Sequence, residues 1–487
     1  MTPIALPRRT LRSGKEFSAF DLALGRAITP PVPFDFGVSL EQRLSEQEAA
    51  GLWDEDHAED HAEPPADTPD SPPLPPPTPS PPQKPSGLHP ATLSAKDRDK
   101  QKSKARRDKK RQQARLSAGT PLKSVHRKRV QQAKASALDM DLDASSLPHS
   151  KPAWVGSRAA EDEPFDFEDA AAPHDGGTGL GGVSYTQEEV DALSGTRGFR
   201  YIGWLGELTV PVVDRQRRVV ITLGGMPRDR AGWKTVTDGA AALLRERLSR
   251  LRLSDERLHH RRALDSFPAL ARGWSHGGGQ TEPGELCNNV ANTQATDELL
   301  AHPYFRRLAL FANILFAMWA PMLFAFYTTQ MALLAAWKPM RKNFAGSVFA
   351  ACTFNFGPRA ICVPHLDYAN LLWGWCAITA LGDFDPDLGG HLILWDLRLV
   401  IRFPPGSTIL LPSAVIRHSN VPVRAHEYRA SFVQYTAGGL FRWVRNGFQT
   451  DENWERSASK EQKKAREEEN KRRWEEGMNM YSVLDEL

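Results

Sequence analysis

Short β-type segments separated by small turns fill residues 348–436, and this pattern constrains the fold most strongly. The segments are rich in apolar and β-branched residues, and clusters of Pro, Gly, Asp and Asn mark the turns between them. In chain order they cover 348–354, 361–367, 371–381, 392–397, 399–403, 408–411, 414–418 and 429–436. Many short strands joined by small turns predict a sandwich or a jelly roll.

Helical patterns come before these strands. Residues 233–253 carry apolar side chains at helical spacing, and an apolar helical region follows at 298–337. Three shorter β-type runs precede both, at 201–204, 208–213 and 218–223. We therefore predict an α+β domain over residues 183–450, with a strand core at 345–450 and the helices packed on one outer face.

The N-terminal region, residues 1–182, is predicted to be disordered because its composition cannot form a hydrophobic core. Residues 64–90 contain 13 prolines in 27 positions, an extended and solvated stretch. Residues 96–129 carry 15 Lys/Arg against three Asp, a charge of +12, whereas the whole chain carries +3 and the remainder therefore −9. This basic arm, residues 96–134, predicts an anionic partner or a nuclear-import signal, and a merely solvated charge run is the alternative. At the other end, residues 451–487 predict a charged helical tail that is a solvated appendage.

A membrane span has to be weighed for residues 308–337, which contain no formal charge over thirty positions. Pro321 lies near the middle of this run, and polar residues are spread through it. Because proline breaks or kinks a helix, two helices buried against a sheet explain the run as well, and we predict no membrane association. Residues 1–12 contain no apolar stretch of the kind that a secretion signal requires.

The chemistry is concentrated in His365-Leu366-Asp367 and in His418, which follows 53 residues after His365. Alternate residues of a strand share one face, so His365 and Asp367 point the same way. Two imidazoles and one carboxylate can occupy three adjacent corners of an Fe(II) coordination sphere and leave the others open. The same H-x-[DE] pattern occurs at His57 and His61, but within an acidic stretch that lacks the other ligands. The sequence therefore predicts an iron site at His365, Asp367 and His418.

A carboxylate-binding pair follows on the last predicted strand. Arg429 and Ser431 share one face with Tyr435 by the period of two. A guanidinium donates two parallel hydrogen bonds to a carboxylate, which a lysine cannot do, and a serine hydroxyl adds a third. This arrangement suits the far carboxylate of 2-oxoglutarate, so Fe(II) and 2-oxoglutarate are the predicted cofactors, with O2 as co-substrate.

Residues 354–450 resemble the TET/JBP family of 2-oxoglutarate- and iron-dependent nucleic-acid dioxygenases, and more narrowly its fungal branch. The resemblance rests on Phe354-Asn-Phe-Gly-Pro-Arg359, the metal motif and Gly438-Gly439-Leu440-Phe441. It implies a double-stranded β-helix (jelly-roll) core, the ligand roles given above, and contacts of His391 and Arg359 with the co-substrate. The cysteine-rich zinc module of the animal enzymes is absent from this sequence.

The same resemblance implies two substrate contacts. Asn370 matches a polar residue that reads the cytosine edge, and Tyr435 matches an aromatic residue that stacks on a flipped base. Asn370 as a simple turn cap and Tyr435 as ordinary core are the alternatives. Many relatives carry a base-contacting histidine where this chain has Ala437, which leaves the accepted base open.

The resemblance therefore implies a nuclear enzyme that oxidises 5-methylcytosine in methylated DNA to 5-hydroxymethylcytosine and further forms, with the base flipped out of the duplex. The alternatives are the same chemistry on thymine, N6-methyladenine, RNA or a protein side chain, and a non-catalytic DNA-binding protein. The sequence defines no oligomeric state.

Overall fold

The protein is described here from a computed structural model, in which residues 9–10, 16–17, 124–156, 198–259, 262–263 and 267–487 are placed. The chain divides into two compact units, residues 1–31 with 130–487 and residues 32–129, and the candidate site lies in the first. The acidic and proline-rich segments, most of the basic arm and the predicted domain start at 183 lie outside the described residues.

Fifteen strands are described, two of them as an isolated antiparallel pair, β1 with β2. They are β1 (Arg9–Thr10), β2 (Glu16–Phe17), β3 (Leu138–Asp139), β4 (Arg200–Ile202), β5 (Val210–Val213), β6 (Val219–Gly225), β7 (Ala269–Ser275), β8 (Gly284–Glu285), β9 (Ala351–Asn355), β10 (Cys376–Asp383), β11 (Leu392–Leu394), β12 (Leu399–Ile401), β13 (Thr408–Leu411), β14 (His418–Asn420) and β15 (Tyr428–Tyr435). The α-helices are α1 (Ser124–Ala135), α2 (Arg230–Leu248), α3 (Asp255–Leu258), α4 (Val290–Ala301), α5 (Pro303–Trp319), α6 (Pro321–Trp337), α7 (Gly438–Arg445), α8 (Asp451–Ser457) and α9 (Lys460–Met478).

The other strands form a large and a small sheet. The large sheet has the order β3-β5-β6-β13-β10-β15-β9-β7-β8, and the small sheet has the order β14-β11-β12-β4. Pairing is antiparallel except between β3 and β5 and between β4 and β12. The mixed α/β fold with a large sheet agrees with the predicted class.

Helices α2 and α5 pack on the large sheet through aromatic side chains. Phe305 of α5 contacts the rings of Phe354 on β9 and Phe432 on β15, at centroid distances of 5.1 and 5.5 Å. Trp233 of α2 is buried and its indole N–H donates to the Gly406 carbonyl, at 2.8 Å. Side chains alternate between the two faces of a strand, and Phe432 faces the helices. Arg429, Ser431 and Tyr435 therefore lie on the opposite face of β15.

The apolar run at 308–337 forms the end of α5 and the whole of α6, and the break falls at Pro321 as predicted. Proline at the first position of a helix costs no hydrogen bond, because that N–H has no partner within the helix. In the part of the chain that the structure describes, no helix is both long enough and apolar enough to cross a membrane.

Several predicted strands are shorter than expected or missing. Residues 361–367 form no strand, and only isolated bridges at Cys362 and His365 pair this segment with other parts of the chain. Residues 414–416 belong to a turn, so His418 begins β14 instead of ending a strand. These segments are apolar because they are buried among other elements. An alternating apolar pattern does not distinguish such burial from pairing in a sheet.

An N-terminal strap, defined here as residues 138–156, is packed into the fold although it lies within the region predicted to be disordered. Its β3 pairs with β5 at the edge of the large sheet, and Ala144, Leu147 and Trp154 are buried. Arg218 holds the strap to the sheet, since its guanidinium lies 2.6 Å from both Asp143 and the buried Asp214.

The C-terminal tail is also part of the fold. Trp474, Met478, Tyr481 and Leu484 are buried, and the Tyr481 hydroxyl donates to the Trp373 carbonyl, at 2.9 Å. Only the α8 region and the first two turns of α9 match the predicted solvated appendage. The prediction failed because α9 is highly charged overall, and only a few apolar residues at its end make these contacts.

Candidate metal centre

His365 and His418 lie directly opposite each other on two neighbouring segments. The backbone N–H of each donates to the carbonyl of the other, both at 3.0 Å, as in a hydrogen-bonded antiparallel pair. Their rings lie 4.3 Å apart, and both residues are buried. The two imidazoles therefore meet because the backbone pairs them, and this holds even though residues 361–367 form no strand.

Asp367 completes the cluster. One carboxylate oxygen lies 3.9 Å from Nε2 of His365, and the other lies 4.0 Å from Nε2 of His418. The possible ligand atoms of the three residues all lie within 4.8 Å of one another. Ligand atoms on adjacent corners, about 2.0–2.2 Å from one metal, lie about 3 Å apart, so the three predicted ligands can hold one ion after their side chains close in by about 1 Å.

The ring orientations of both histidines are set by backbone carbonyls. Nδ1 of His365 lies 2.7 Å from the Val363 carbonyl, and Nδ1 of His418 lies 2.9 Å from the Ile416 carbonyl. A carbonyl only accepts, so Nδ1 carries the hydrogen and the lone pair of Nε2 points into the cluster. This support of a ligating imidazole is typical of metal sites.

The charge state of the cluster also suits a cation. Burial lowers the pKa of the His365 imidazole well below its usual value, and burial likewise lowers the pKa of His418. Burial opposes ionisation of Asp367, but the nearby Arg262 guanidinium and the two imidazoles outweigh it, so the pKa of this carboxyl is lowered. Neutral imidazoles beside an ionised carboxylate are the forms that bind a metal.

Arg262 is a residue of the site that the sequence did not suggest. Its guanidinium donates to the Asp367 carboxylate through Nη1 and to the Leu366 carbonyl through Nη2, the latter at 3.0 Å. Its own carbonyl accepts from the N–H of Val363, at 2.9 Å. Arg262 thus fixes both the backbone and the carboxylate of the metal motif from 105 positions away. No local pattern distinguishes it from the adjacent Arg261.

We expect Arg262→Leu to weaken Fe(II) binding by about 10- to 100-fold, the usual cost of removing a group that orients a metal ligand. An anaerobic Fe(II) titration measures this, and Arg257→Leu is the control because Arg257 is exposed on α3. Tighter binding by Arg262→Leu would instead show that repulsion between the guanidinium and the metal outweighs the orientation of Asp367.

Arg429 is the most unusual charged residue of the site. It is 1% exposed, and within the described residues no carboxylate lies within ion-pair distance of it and its Nε has no hydrogen-bond acceptor. Nη1 donates to the Ala360 carbonyl, and the Phe384 ring lies 5.9 Å from the guanidinium. Burial lowers the pKa of Arg429 to about 10, so it is still charged at neutral pH. A buried charge of this kind calls for an anionic partner.

Ser431 and Cys362 connect Arg429 with the metal cluster. The Ser431 hydroxyl accepts a hydrogen bond from the Asn355 side chain, at 2.8 Å, and its own hydrogen remains available for donation. Burial raises the pKa of the Cys362 thiol to about 11, and Arg429, Arg262 and Asp367 all act on it electrostatically. Arg429 donates to the carbonyl of Ala360, two residues before Cys362, and His365 follows three residues after Cys362, so one backbone segment runs from the guanidinium to the metal cluster.

Asn370 lies on the loop that follows Asp367. Its backbone N–H donates to the Asp367 carbonyl, at 2.8 Å, and its side-chain amide donates to the Ser413 hydroxyl, at 3.1 Å. Ser413 in turn hydrogen-bonds the Asp367 side chain and its carbonyl accepts from the Asp367 N–H. Ser413 therefore links the predicted base-reading residue to a metal ligand, and the sequence indicated it only as a turn residue.

Tyr435 is half-buried on β15, and its hydroxyl lies 3.5 Å from that of Thr353. Burial raises the pKa of Tyr435 to about 12, and the charges of Asp367 and Arg262 also act on it. Phe432 and Gln434 of β15 contact α5, so by alternation Tyr435 faces away from the helices. Its stacking role stays a prediction.

The backbones of the other two residues predicted to contact the co-substrate, Arg359 and His391, lie next to segments of the site. Arg359 pairs with Arg429 in a parallel bridge, so their backbones are neighbours. His391 is buried just before β11, its carbonyl accepts from the N–H of Val421 at 3.0 Å, and its ring lies 5.8 Å from that of Tyr201. The roles of both residues stay predictions.

Comparison with known proteins gives only distant similarities. No protein-family model matches the chain, and no curated protein matches it. Among solved structures, NgTET1 in complex with 5mC DNA matches over 50% of this chain and 83% of its own, with 13% identity and a TM-score of 0.34. A 2OG-Fe(II) oxygenase family oxidoreductase from Burkholderia pseudomallei matches over 40% of this chain and 76% of its own, with 19% identity and a TM-score of 0.24.

The donor set itself agrees with the predicted cofactors. Two neutral imidazoles and one carboxylate on adjacent corners form the ligand set of mononuclear Fe(II) oxygenases, and a carboxylate-bearing co-substrate such as 2-oxoglutarate matches the charge of Arg429.

Proposed function

We propose that this protein is an Fe(II)- and 2-oxoglutarate-dependent dioxygenase of the TET/JBP family that oxidises 5-methylcytosine in DNA to 5-hydroxymethylcytosine. In this proposal the strands of the two sheets form a double-stranded β-helix around the cluster. One arrangement carries the chemistry: a His–Asp–His ligand set follows directly on the backbone segment that holds a buried guanidinium, and this guanidinium has no acidic partner among the described residues.

In this proposal the ligand set binds the metal and the guanidinium binds 2-oxoglutarate. His365 and His418, through Nε2, and Asp367, through its carboxylate, would hold the metal and leave its other positions open. Arg429 would donate to the far carboxylate of 2-oxoglutarate, and the free hydrogen of Ser431 would add a third bond. Fe(II), 2-oxoglutarate and O2 together supply the oxidising chemistry that a methyl C–H bond requires.

Burial of Arg429 makes this clamp effective. In a water-poor cavity an ion pair is much stronger than at the surface, and the co-substrate supplies the charge that the guanidinium lacks. Arg429 is held by the Ala360 carbonyl and by its own strand before the co-substrate binds, so its side chain loses little conformational entropy on binding.

The substrate assignment rests on the sequence resemblance and on where Asn370 and Tyr435 lie. A methyl group inside a duplex cannot reach a buried metal, so the base has to be flipped out, at a cost of a few kcal/mol. Stacking on Tyr435 would offset about 1–3 kcal/mol of that cost. Asn370 donates its amide to Ser413, which leaves the amide oxygen to accept from the exocyclic amine of cytosine.

DNA binding outside the pocket is assigned to the basic arm, residues 96–134, most of which lies outside the described residues. Its excess of Lys and Arg would hold phosphates without sequence preference, so affinity should fall as salt is added. Nuclear residence follows from the substrate and the arm together.

The deciding experiment is nucleoside mass spectrometry after purified protein has acted on 5-methylcytosine duplex DNA with Fe(II), 2-oxoglutarate and O2. We expect 5-methylcytosine to be consumed with formation of succinate, and unmethylated DNA to give no new nucleoside. Parallel reactions contain thymine-rich DNA, N6-methyladenine DNA and methylated RNA.

Each outcome decides between the alternatives. Succinate formed without loss of 5-methylcytosine would reject the proposed substrate and keep the iron chemistry, in which case the parallel reactions identify the base. Ala437, which pairs with Asn370 and presents only a methyl group, makes that outcome structurally reasonable. Absence of both products would favour a DNA-binding protein without catalysis.

A further inference from the structure

The N-terminal strap ends on the loop that joins the metal motif to the rest of the site. The Gly156 N–H donates to the Tyr368 carbonyl, at 2.7 Å, and the Trp154 carbonyl accepts from the Leu372 N–H, at 3.2 Å. These two bonds bracket the loop on either side of Asn370. The loop has no strand or helix of its own, so such bonds determine where its backbone lies.

The opposite side of the loop is held by the end of β15 and the start of α7. The Leu371 N–H donates to the Thr436 carbonyl, at 3.1 Å, and the Gly438 N–H donates to the Ala369 carbonyl, at 2.9 Å. The loop is thus fastened between a part of the large sheet and the strap.

The contact at Gly156 leaves little room for a side chain. A Cβ atom placed there would lie 3.1 Å from the Tyr368 Cα and 3.1 Å from the Ala414 carbonyl oxygen. Ala414 follows Ser413, which hydrogen-bonds Asp367 and Asn370. The strap therefore touches both segments that position the carboxylate ligand and the predicted base-reading amide.

The C-terminal helix fastens the strap in turn. The Arg473 guanidinium lies 4.3 Å from the Trp154 ring and donates to the Pro152 carbonyl, at 2.7 Å. Trp474 stacks on His149 with ring centroids 4.6 Å apart, and its indole N–H donates to the Ser145 carbonyl, at 2.8 Å. The strap and the C-terminal end of α9 are thus packed together beside the loop.

We infer that the strap and α9 act as a brace for the substrate side of the site, with Trp154 and Gly156 as positioning residues for the loop that carries Asn370. The two histidines are held by their own backbone pairing and by carbonyls at Val363 and Ile416, so the brace acts on the loop and leaves them in place. The part of this inference that concerns the substrate rests on the proposed function.

The test uses the full chain with Gly156→Ala, which presses a methyl group against Tyr368 and Ala414. Gly284→Ala is the matched control, because the only heavy atom near a Cβ at Gly284 lies 3.8 Å away. Amide hydrogen exchange is measured without cofactors, on peptides that cover 368–372 and 418–420. We expect faster exchange in the first peptide of Gly156→Ala, unchanged exchange in the second, and no change in either for the control.

Steady-state kinetics give the second readout. For Gly156→Ala we expect the KM for methylated DNA to rise by about tenfold, because small misplacements of a positioning group have effects of this size. Fe(II) affinity should fall by less than the KM for methylated DNA rises, because His365 and His418 keep their own supports and only Asp367 lies next to the displaced backbone. The KM for 2-oxoglutarate should stay within about twofold, because Arg429 is held by the Ala360 carbonyl, away from the loop. Equal loss of Fe(II) affinity, or unchanged exchange at 368–372, would overturn the inference.

Arg473→Met covers the case in which Gly156→Ala does not fold. It loosens the strap from outside the loop while keeping an apolar stem over Trp154. Faster exchange at 368–372 supports the brace, and exchange like that of the wild type overturns it. Hydrogen exchange can be measured whether or not the protein is active. If the wild-type protein proves inactive, the proposed function is rejected, and the exchange rates still decide whether the strap braces the loop.

Discussion

His418→Ala should abolish tight Fe(II) binding and turnover while leaving the fold intact. His418 contributes one of the three ligands through Nε2, whereas its backbone N–H and carbonyl make the pairing with His365. Alanine keeps both backbone groups, so the segment stays in place. Removing a group that merely supports a ligand costs about 10- to 100-fold in affinity, and loss of the ligand itself should exceed that range.

Anaerobic titration with Fe(II) in the presence of 2-oxoglutarate measures this effect through the metal-to-ligand charge-transfer band. The wild type should develop the band and His418→Ala should not. His426→Ala is the matched control, because His426 is exposed on the loop before β15. Equal affinities of wild type and His418→Ala would refute the proposed metal centre.

Arg429→Met should have opposite effects on function and on stability. Methionine fills a similar volume without charge, so the cofactor-free protein no longer contains a buried cation for which the described residues offer no acidic partner. Loss of the bond to the Ala360 carbonyl is a smaller cost. We expect a net gain of about 1–3 kcal/mol in the free energy of unfolding, since replacing buried charges with apolar groups gives gains of this size.

The same substitution should remove binding of 2-oxoglutarate. A ligand that binds only the folded state stabilises it by about 2.7 kcal/mol at a concentration 100 times its Kd. Thermal unfolding under anaerobic conditions with Mn(II), with and without 2-oxoglutarate, therefore separates the two effects. The wild type should gain Tm on addition of 2-oxoglutarate, and Arg429→Met should start higher and gain nothing.

Arg456→Met is the control for Arg429→Met, because Arg456 pairs with Glu452 at the surface. Its Tm and its response to 2-oxoglutarate should stay close to those of the wild type, as expected for an exposed ion pair. A lower Tm of cofactor-free Arg429→Met would show that the guanidinium already has a stabilising partner. The clamp assigned to Arg429 would then be wrong.

Several features of the C-terminal half followed from local patterns. Pro321 ended one helix and began the next as predicted, and Thr408–Leu411 forms a strand over the predicted residues. Alternation on β15 correctly placed Arg429, Ser431 and Tyr435 on one face. These features depend on neighbouring residues, so the sequence displays them directly.

Contacts between distant parts of the chain could not be predicted in the same way. Arg262 reaches Asp367 across 105 positions, and Arg473 reaches Pro152 across 321. The strap lacks a periodic pattern, and its few apolar residues are buried through contacts with segments that lie far along the chain. Composition alone therefore assigned both segments to solvent.

The sequence by itself determined which groups can bind the metal and the carboxylate, because ligand chemistry is a property of residue types and His365, Asp367, His418 and Arg429 are the types required. Tertiary structure decided how these groups are oriented and which charges act on them. Carbonyl groups turn each Nε2 inward, Arg262 holds the carboxylate, and burial leaves Arg429 without an acidic partner in the described part of the chain. Orientation and desolvation arise only when segments distant in sequence are packed together, so no local pattern encodes them.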